Sequence, residues 1–147
     1  MPRPSHRLDL VLVFVDPPPK QAVPQFPWRQ LLPAGFDDWR AVLFEREQFV
    51  ANHQGGFRVS CPGPGGNLAP QFSKALSAWR HGAQRRVQCP HCQQSHDLAE
   101  LAFAPQAAFG RFAVELHDVV GIELDAGLQQ RAMRDLGPFS LVLRRVG

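Results

Sequence analysis

The pentapeptide RVSCP at residues 58–62 recurs as RVQCP at residues 86–90, and this repeat decides the fold predicted for the middle of the chain. Each copy is a short β-type run that leads into a Cys-Pro turn. Two facing turns of this kind are what a zinc ribbon needs, because four ligands around one ion come from two tight turns. We therefore predict that residues 58–98 form a ribbon-like insert.

The candidate metal ligands lie in and just after these two turns. Cys61 belongs to the first turn, whereas Cys89 and Cys92 belong to the second. The position of the first copy that matches Cys92 is Pro64, so the ribbon is degenerate and one thiol of four is missing. His96 follows in Cys-x-x-Cys-x-x-x-His spacing and can complete a structural zinc site. In the alternative interpretation the ribbon has lost its metal, and its thiols pack as small buried apolar groups.

The stretch QCPHC at residues 88–92 also fits a thiol-disulfide oxidoreductase that uses Cys89 and Cys92. A thioredoxin-like fold would place this motif after an early central strand and at the start of a long helix. Here the pair lies past the middle of the chain, and the following QQSHDLAELAF has room for a short helix at most. Redox catalysis is therefore the least favoured function.

Apolar periodicity predicts alternating strands and helices in the rest of the chain. Residues 8–15 are apolar on both faces, which indicates a central strand. Residues 111–117 alternate as in a half-buried strand, and 139–146 form a closing strand. We predict three helices: one from Phe36 to the NHQGG stretch at 52–56, one between Pro70 and Gly82, and one capped by Asp125 and ended by Gly137.

These elements predict one α+β domain that spans residues 1–147. Two strand-helix-strand units, 8–60 and 111–146, should build a single sheet with helices on it in a ferredoxin-like arrangement. The ribbon-like segment 58–98 should project from it as an insert, and 111–147 should form the C-terminal unit. A strand, helix and strand in about 35 residues is the size of one crossover, whose two strands should run parallel.

Composition is typical of a globular protein, with 44% hydrophobic and 20% charged residues among 147. No apolar run approaches the roughly 20 residues of a membrane-spanning helix. Three cysteines are too few for a disulfide framework, so we expect a reducing, cytoplasmic location. The net charge is +3, but the basic residues are scattered and form no patch of the kind that typically contacts nucleic acid.

The segment from Arg58 onward resembles a group of small bacterial proteins of uncharacterised activity. In that group two Cys-Pro-x-Cys-like knuckles precede a segment like DLAELAFAPQAAFGRFAVEL and a final strand, helix and strand. Cys61, Cys89, Cys92 and the FGRF of residues 109–112 carry the resemblance. It implies architecture and no activity. Pro64 and Gln93 depart from the pattern, because cysteine and often glycine stand at these positions.

We expect a non-catalytic binding module, such as an accessory or immunity-type partner of another bacterial protein. The sequence shows no nucleophile-base pair, no phosphate-binding loop and no complete metal-hydrolase motif. Nucleic-acid binding is the second possibility, with phosphate contacts from Arg80, Arg85 and Arg86. Trp28 is the expected exposed anchor for a partner, because Trp39 and Trp79 occupy apolar faces of predicted helices.

Overall fold

Strands and short helices alternate in a computed structural model of the chain, which describes residues 7–51, 58–63 and 66–146. A single 3₁₀ turn, Leu98–Glu100, accompanies the regular elements. In chain order these are β1 (Arg7–Phe14), α1 (Ala22–Gln25), α2 (Trp28–Leu31), β2 (Asp38–Val50), β3 (Arg58–Ser60), α3 (Ala69–Arg80), β4 (Arg86–Gln88), β5 (Ser95–Asp97), β6 (Ala102–Ala104), β7 (Ala108–His117), α4 (Ala126–Leu136) and β8 (Phe139–Val146).

The described residues separate into two compact units. The first contains 7–51 and 107–146, and the second contains 58–63 and 66–106. The predicted insert of 58–98 falls within the second unit. Mixed helices and antiparallel sheets confirm the predicted α+β class.

A four-stranded sheet in the order β2-β7-β1-β8 forms the first unit, and all neighbouring strands are antiparallel. Because β7 and β8 are both antiparallel to β1, they run parallel to each other, as predicted for the last crossover. By the same argument β1 and β2 run parallel, with β7 between them. The predicted ferredoxin-like arrangement is a finer statement than this strand order, and it stays a prediction.

β1 is buried on both faces, as its sequence predicts. Leu10, Leu12 and Phe14 join the larger core, which lies on the face of the sheet that also packs residues of the helices. Val11 and Val13 join a smaller cluster on the opposite face. The strand ends at Phe14, and Val15, which the prediction included, is exposed.

The predicted helix from Phe36 is wrong, because residues 38–50 form strand β2. The spacing of Trp39, Val42, Leu43 and Phe49 fits a helix as well as a strand. What decides the structure is pairing with β7, which runs in register from Asp38 to Leu43 and resumes at Gln48 after a bulge. Tertiary contacts of this kind override local propensity. The stretch at 52–56, predicted to end the helix, lies outside the described residues.

β7 is more buried than its alternating sequence predicts, because it is an inner strand of the sheet. Glu115, expected on a polar face, is only 7% exposed. Its carboxylate accepts a hydrogen bond from His117 at 3.0 Å and forms an ion pair with Arg144 at 3.2 Å. Arg144 also faces the buried carboxylate of Asp9 at 3.8 Å. Ion pairing therefore allows an acid to occupy an inner strand.

The remaining helix predictions are confirmed, with α3 at Ala69–Arg80 and α4 at Ala126–Leu136. The side chain of Asp125 accepts a hydrogen bond from the amide of Leu128 at 2.9 Å, which is the predicted N-cap. Gly137 follows α4 with a φ of 107°, a conformation that glycine adopts without a steric penalty. Within the described residues, no helix is both long and apolar enough to cross a membrane.

The second unit contains two small antiparallel pairs, β3 with β6 and β4 with β5. The strands β3 and β4 are the two predicted runs that lead into the Cys-Pro turns. α3 lies between them in the chain and buries Phe72 and Leu76. Phe72 contacts Phe103 of β6 edge to face, with ring centroids 5.3 Å apart.

Candidate metal centre

The two Cys-Pro turns share one equivalent backbone hydrogen bond among the described residues, as their shared sequence predicts. In the first turn the amide of Cys61 donates to the carbonyl of Gly66 at 3.1 Å. In the second the amide of Cys89 donates to the carbonyl of Gln94 at 2.9 Å. Each bond joins a cysteine to the fifth residue after it, so each turn closes a loop of equal length. The repeated sequence therefore corresponds to a repeated structure.

Backbone amides also point at the sulfurs of these turns. Cys89 Sγ accepts hydrogen bonds from the amides of His91 and Cys92, at 3.3 and 3.4 Å. Burial acts to raise the pKa of the Cys89 thiol, but these amides together with hydrogen bonds to the side chains of Cys61 and Cys92 outweigh it, and the pKa lies below its ordinary value. Burial raises the pKa of the Cys61 thiol, against a hydrogen bond from the backbone of Gly63. The Cys89 sulfur is thus prepared to be a thiolate, the form in which cysteine binds metal.

Cys61, Cys92 and His96 meet at one point, with all three ligand atoms within 4.8 Å of one another. Cys61 Sγ lies 3.5 Å from Cys92 Sγ, and His96 Nε2 lies 3.6 Å from the first sulfur and 3.3 Å from the second. The Cys89 side chain interacts with those of both Cys61 and Cys92. The structure therefore brings three of the four predicted ligands to one point, and the side chain of the fourth, Cys89, contacts two of them.

The spacing of these atoms fits a tetrahedral zinc ion. Bond lengths of about 2.3 Å to sulfur and about 2.0–2.1 Å to nitrogen imply ligand separations of roughly 3.8 Å between sulfurs and roughly 3.6 Å between sulfur and nitrogen. The separation of 3.6 Å between Cys61 and His96 equals the latter value, whereas 3.5 Å between the sulfurs and 3.3 Å between Cys92 and His96 are about 0.3 Å shorter. Soft thiolates combined with imidazole favour zinc over hard cations such as magnesium or calcium.

The hairpin of β4 and β5 explains why His96 reaches the cluster. His96 pairs with Val87 across the hairpin, so the chain returns beside the turn that carries Cys89 and Cys92. Arg85 holds the end of the hairpin closed by donating to Asp97 through Nε at 2.8 Å. Asp97 in turn accepts a hydrogen bond from the amide of Ala99 at 2.9 Å and caps the 3₁₀ turn. Sequence reasoning missed this role of Asp97, although the acid directly follows the predicted ligand.

Gln93 closes the second turn with a left-handed backbone, at a φ of 61°. This is the position at which glycine often follows a knuckle in the resembled group. A side chain here carries a steric cost, since L-residues disfavour this conformation. The turn keeps its geometry nonetheless, and the amide of Gln93 donates to the carbonyl of Cys89 at 2.8 Å.

His81 and His91 lie outside the described cluster. His91 is exposed, although its ring lies close to Gly66, where an added side chain would collide with it. His81 follows α3 and contacts the carbonyl of Ser77 through Nδ1 at 2.8 Å. His53 and Pro64 lie outside the described residues.

Trp28 is not the exposed anchor that the sequence predicts, since only 2% of the residue is accessible. Its indole Nε1 donates to the carbonyl of Val23 at 2.8 Å, so the polar atom is satisfied internally. Its ring packs on Phe26 and Trp39, with centroids 4.7 and 5.6 Å away. The proline-rich sequence suggested an open loop, but the chain forms α1 and α2 there and packs Phe26 and Trp28 into the core. Trp28 is therefore not accessible to a binding partner.

The three predicted arginine contacts differ in their surroundings. Arg80 is exposed at the end of α3. Arg85 binds Asp97, and Arg86 donates to the hydroxyl and the carbonyl oxygen of Ser95, both at 3.0 Å. Two of the three guanidinium groups therefore stabilise the hairpin beside the cluster.

Comparison with known proteins found no family model that matches the chain. No curated protein and no solved structure matches it either. The cluster and its geometry are thus the main evidence on function.

Proposed function

We propose that this protein is a non-catalytic, zinc-stabilised binding module. In this proposal Zn²⁺ is held by Cys61, Cys89, Cys92 and His96 and fixes the second unit, which then docks on another protein as an accessory or immunity-type partner. The observation that carries the proposal is the convergence of the Cys61 and Cys92 sulfurs with the His96 imidazole nitrogen within 4.8 Å of one another, with the Cys89 side chain in contact with both other cysteines.

A closed ligand set supports a structural role over a catalytic one. Catalytic zinc sites keep one position for water or substrate, whereas three cysteines and a histidine occupy all four positions. Burial of Cys89, whose residue accessibility is 0%, also argues against the redox alternative, because a catalytic thiolate must be reached by its substrate.

The internal contacts of the arginines in the hairpin favour a protein partner over nucleic acid. Phosphate binding requires basic side chains that are available to the backbone of the nucleic acid. Arg85 and Arg86 instead bind Asp97 and Ser95 within the unit. Arg80 retains its exposed position and is the one predicted phosphate contact that fits this use.

Zinc content of protein purified without chelators tests the metal part of the proposal. We expect one zinc per chain by elemental analysis and a large loss in Cys92→Ser. His91→Gln is the matched control, because His91 lies in the same turn but is exposed and outside the cluster. A zinc-to-protein ratio near zero in the unmodified chain would remove the metal from the proposal.

Affinity capture from the native host at physiological salt tests the binding part. We expect one specific protein to be retained by the unmodified chain and by His91→Gln, and lost with Cys92→Ser. Retention of nucleic acid in place of a protein, with an affinity that falls steeply as salt rises, would replace the proposal by the nucleic-acid alternative. Recovery of no stable partner would count against both.

A further inference from the structure

The first unit contains an apolar pocket that shares no residue with the candidate metal cluster. It encloses about 470 Å³ between the proline-rich segment after β1 and the face of β2. This volume lies within the range of about 300–1,000 Å³ that is typical of small-molecule sites. Its lining residues are Pro17, Pro18, Lys20, Val23, Pro24, Trp39, Ala41, Leu43 and Phe112.

Aromatic contacts and proline rings restrict the walls of this pocket. Trp39 packs against the buried ring of Trp28 at 5.6 Å, and Phe112 contacts Phe14 at 5.9 Å. The prolines of the opposite wall have backbones restricted by their rings. A preformed apolar pocket loses little conformational entropy when it is filled, which favours binding. Leu43 is 64% exposed, so apolar surface extends to solvent.

Lys20 carries the only charge among the lining residues. It has no hydrogen bond or ion pair with any other residue in the described part of the chain. A lysine can lay its aliphatic stem along an apolar wall while its ammonium group stays at the water boundary. The pocket thus combines an apolar interior with one unpaired positive charge.

We propose that this pocket binds a small amphiphilic monocarboxylate, such as a medium-chain fatty acid. Its apolar chain lies against Trp39, Leu43 and the prolines, and its carboxylate pairs with Lys20. A single ammonium group matches a single negative charge, and the apolar walls exclude ligands that are polar along their whole length. The site lies entirely in the first unit, so this inference does not depend on zinc or on a protein partner.

Calorimetric titration of the full chain with decanoate, decanol and decylammonium tests the inference. We expect saturable decanoate binding with one site per chain, together with a change in tryptophan fluorescence that is diminished in Trp39→Phe. Decylammonium should bind least, since its charge is repelled by Lys20. Absence of saturable decanoate binding, or equal binding of decanoate and decylammonium, would overturn the proposal.

Two substitutions separate the charge from the cavity. Lys20→Gln should weaken decanoate binding about threefold to tenfold and leave decanol binding unchanged. Lys74→Gln is the matched control, because Lys74 is the only other lysine and does not line the pocket. Ala41→Phe should fill the pocket and abolish binding of both ligands, with a melting curve to show that the chain is folded. Equal decanoate affinities for Lys20→Gln and Lys74→Gln would refute the role of Lys20.

Discussion

In the unit made of residues 7–51 and 107–146, a ten-residue strand and an eight-residue strand pair at the centre of the sheet. In the unit made of 58–63 and 66–106, each described strand has only three residues. The first unit buries one large cluster of apolar residues from its sheet and helices. The second instead carries the Cys and His residues that converge on one point.

This difference reflects how much surface a chain segment can bury. Segments of about 50 residues bury a smaller fraction of their surface than longer ones and often need a metal or disulfides as a supplement. The first unit has enough apolar residues to be stabilised by packing. We therefore expect the two units to respond to different perturbations.

Removal of zinc from the proposed site should unfold the second unit and spare the first. Structural zinc contributes apparent binding energies of about 10–16 kcal/mol in small zinc-finger peptides, and that energy is available for folding. We expect Cys89→Ser, after exhaustive chelation, to lose amide-exchange protection in α3 and in the hairpin of β4 and β5. β1 and β7 should keep their protection. Undiminished protection of α3 in metal-free protein would show that packing alone holds this unit.

A cavity introduced into the apolar core of the first unit should destabilise that unit and spare the second. Leu12 is fully buried in β1, and Leu12→Ala should cost about 2–5 kcal/mol of unfolding free energy. Denaturant unfolding followed by tryptophan fluorescence in a Trp79→Phe background measures this loss, since the remaining Trp28 and Trp39 both lie in the first unit. Val15→Ala, at a position that is 56% exposed, should change stability little. We expect one zinc per chain in both variants, and loss of zinc from Leu12→Ala would contradict the contrast.

The buried carboxylate of Glu115 makes the stability of the first unit depend on pH. Burial acts to raise the pKa of Glu115, but hydrogen bonds from His117 and Arg144 outweigh it, and the pKa lies below the ordinary value of 4.5. Because the folded pKa is the lower one, ionised Glu115 stabilises the fold above about pH 4.5. That contribution is lost as the pH falls through the folded pKa.

Glu115→Gln should therefore lower stability by about 1–3 kcal/mol at pH 7 and flatten its decline below pH 4.5. Melting temperatures of both proteins between pH 7 and pH 3 provide the measurement. Glu123→Gln removes an exposed carboxylate and should retain the dependence of the unmodified chain. Parallel pH curves for Glu115→Gln and the unmodified protein would show that Glu115 does not carry the effect.

Sequence reasoning succeeded where local pattern and structure agree. The apolar run of β1, the Asp125 cap of α4 and the paired Cys-Pro turns each depend on residues close together in the chain. It failed at β2, because an edge strand is decided by its pairing with β7, more than 50 positions away. It also failed at Trp28, whose burial follows from contacts with Phe26 and Trp39 that no periodicity shows.

The candidate metal site was more predictable than the sheet because its ligands lie in short local motifs. The spacing of Cys89, Cys92 and His96 brings them together through one hairpin. Only the position of Cys61 beside these ligands required a long-range inference, which the repeated pentapeptide made possible. The apolar pocket was not predicted, since its walls combine a proline-rich segment with a strand that the sequence indicated as a helix.

The smallest predicted effect concerns a single backbone angle in the second unit. Gln93 is exposed and adopts a φ of 61°, so its side chain contributes strain. Gln93→Gly relieves this strain, although glycine also makes the unfolded chain more flexible. We expect a net stabilisation of about 0.5–1 kcal/mol, seen as a modest gain in zinc affinity in competition with a chromogenic chelator. Gln94→Gly changes the neighbouring residue, which has no positive φ, and should give no gain. Since this benefit requires the turn to hold its native geometry, it should appear in zinc affinity and leave the acid dependence of the first unit unchanged.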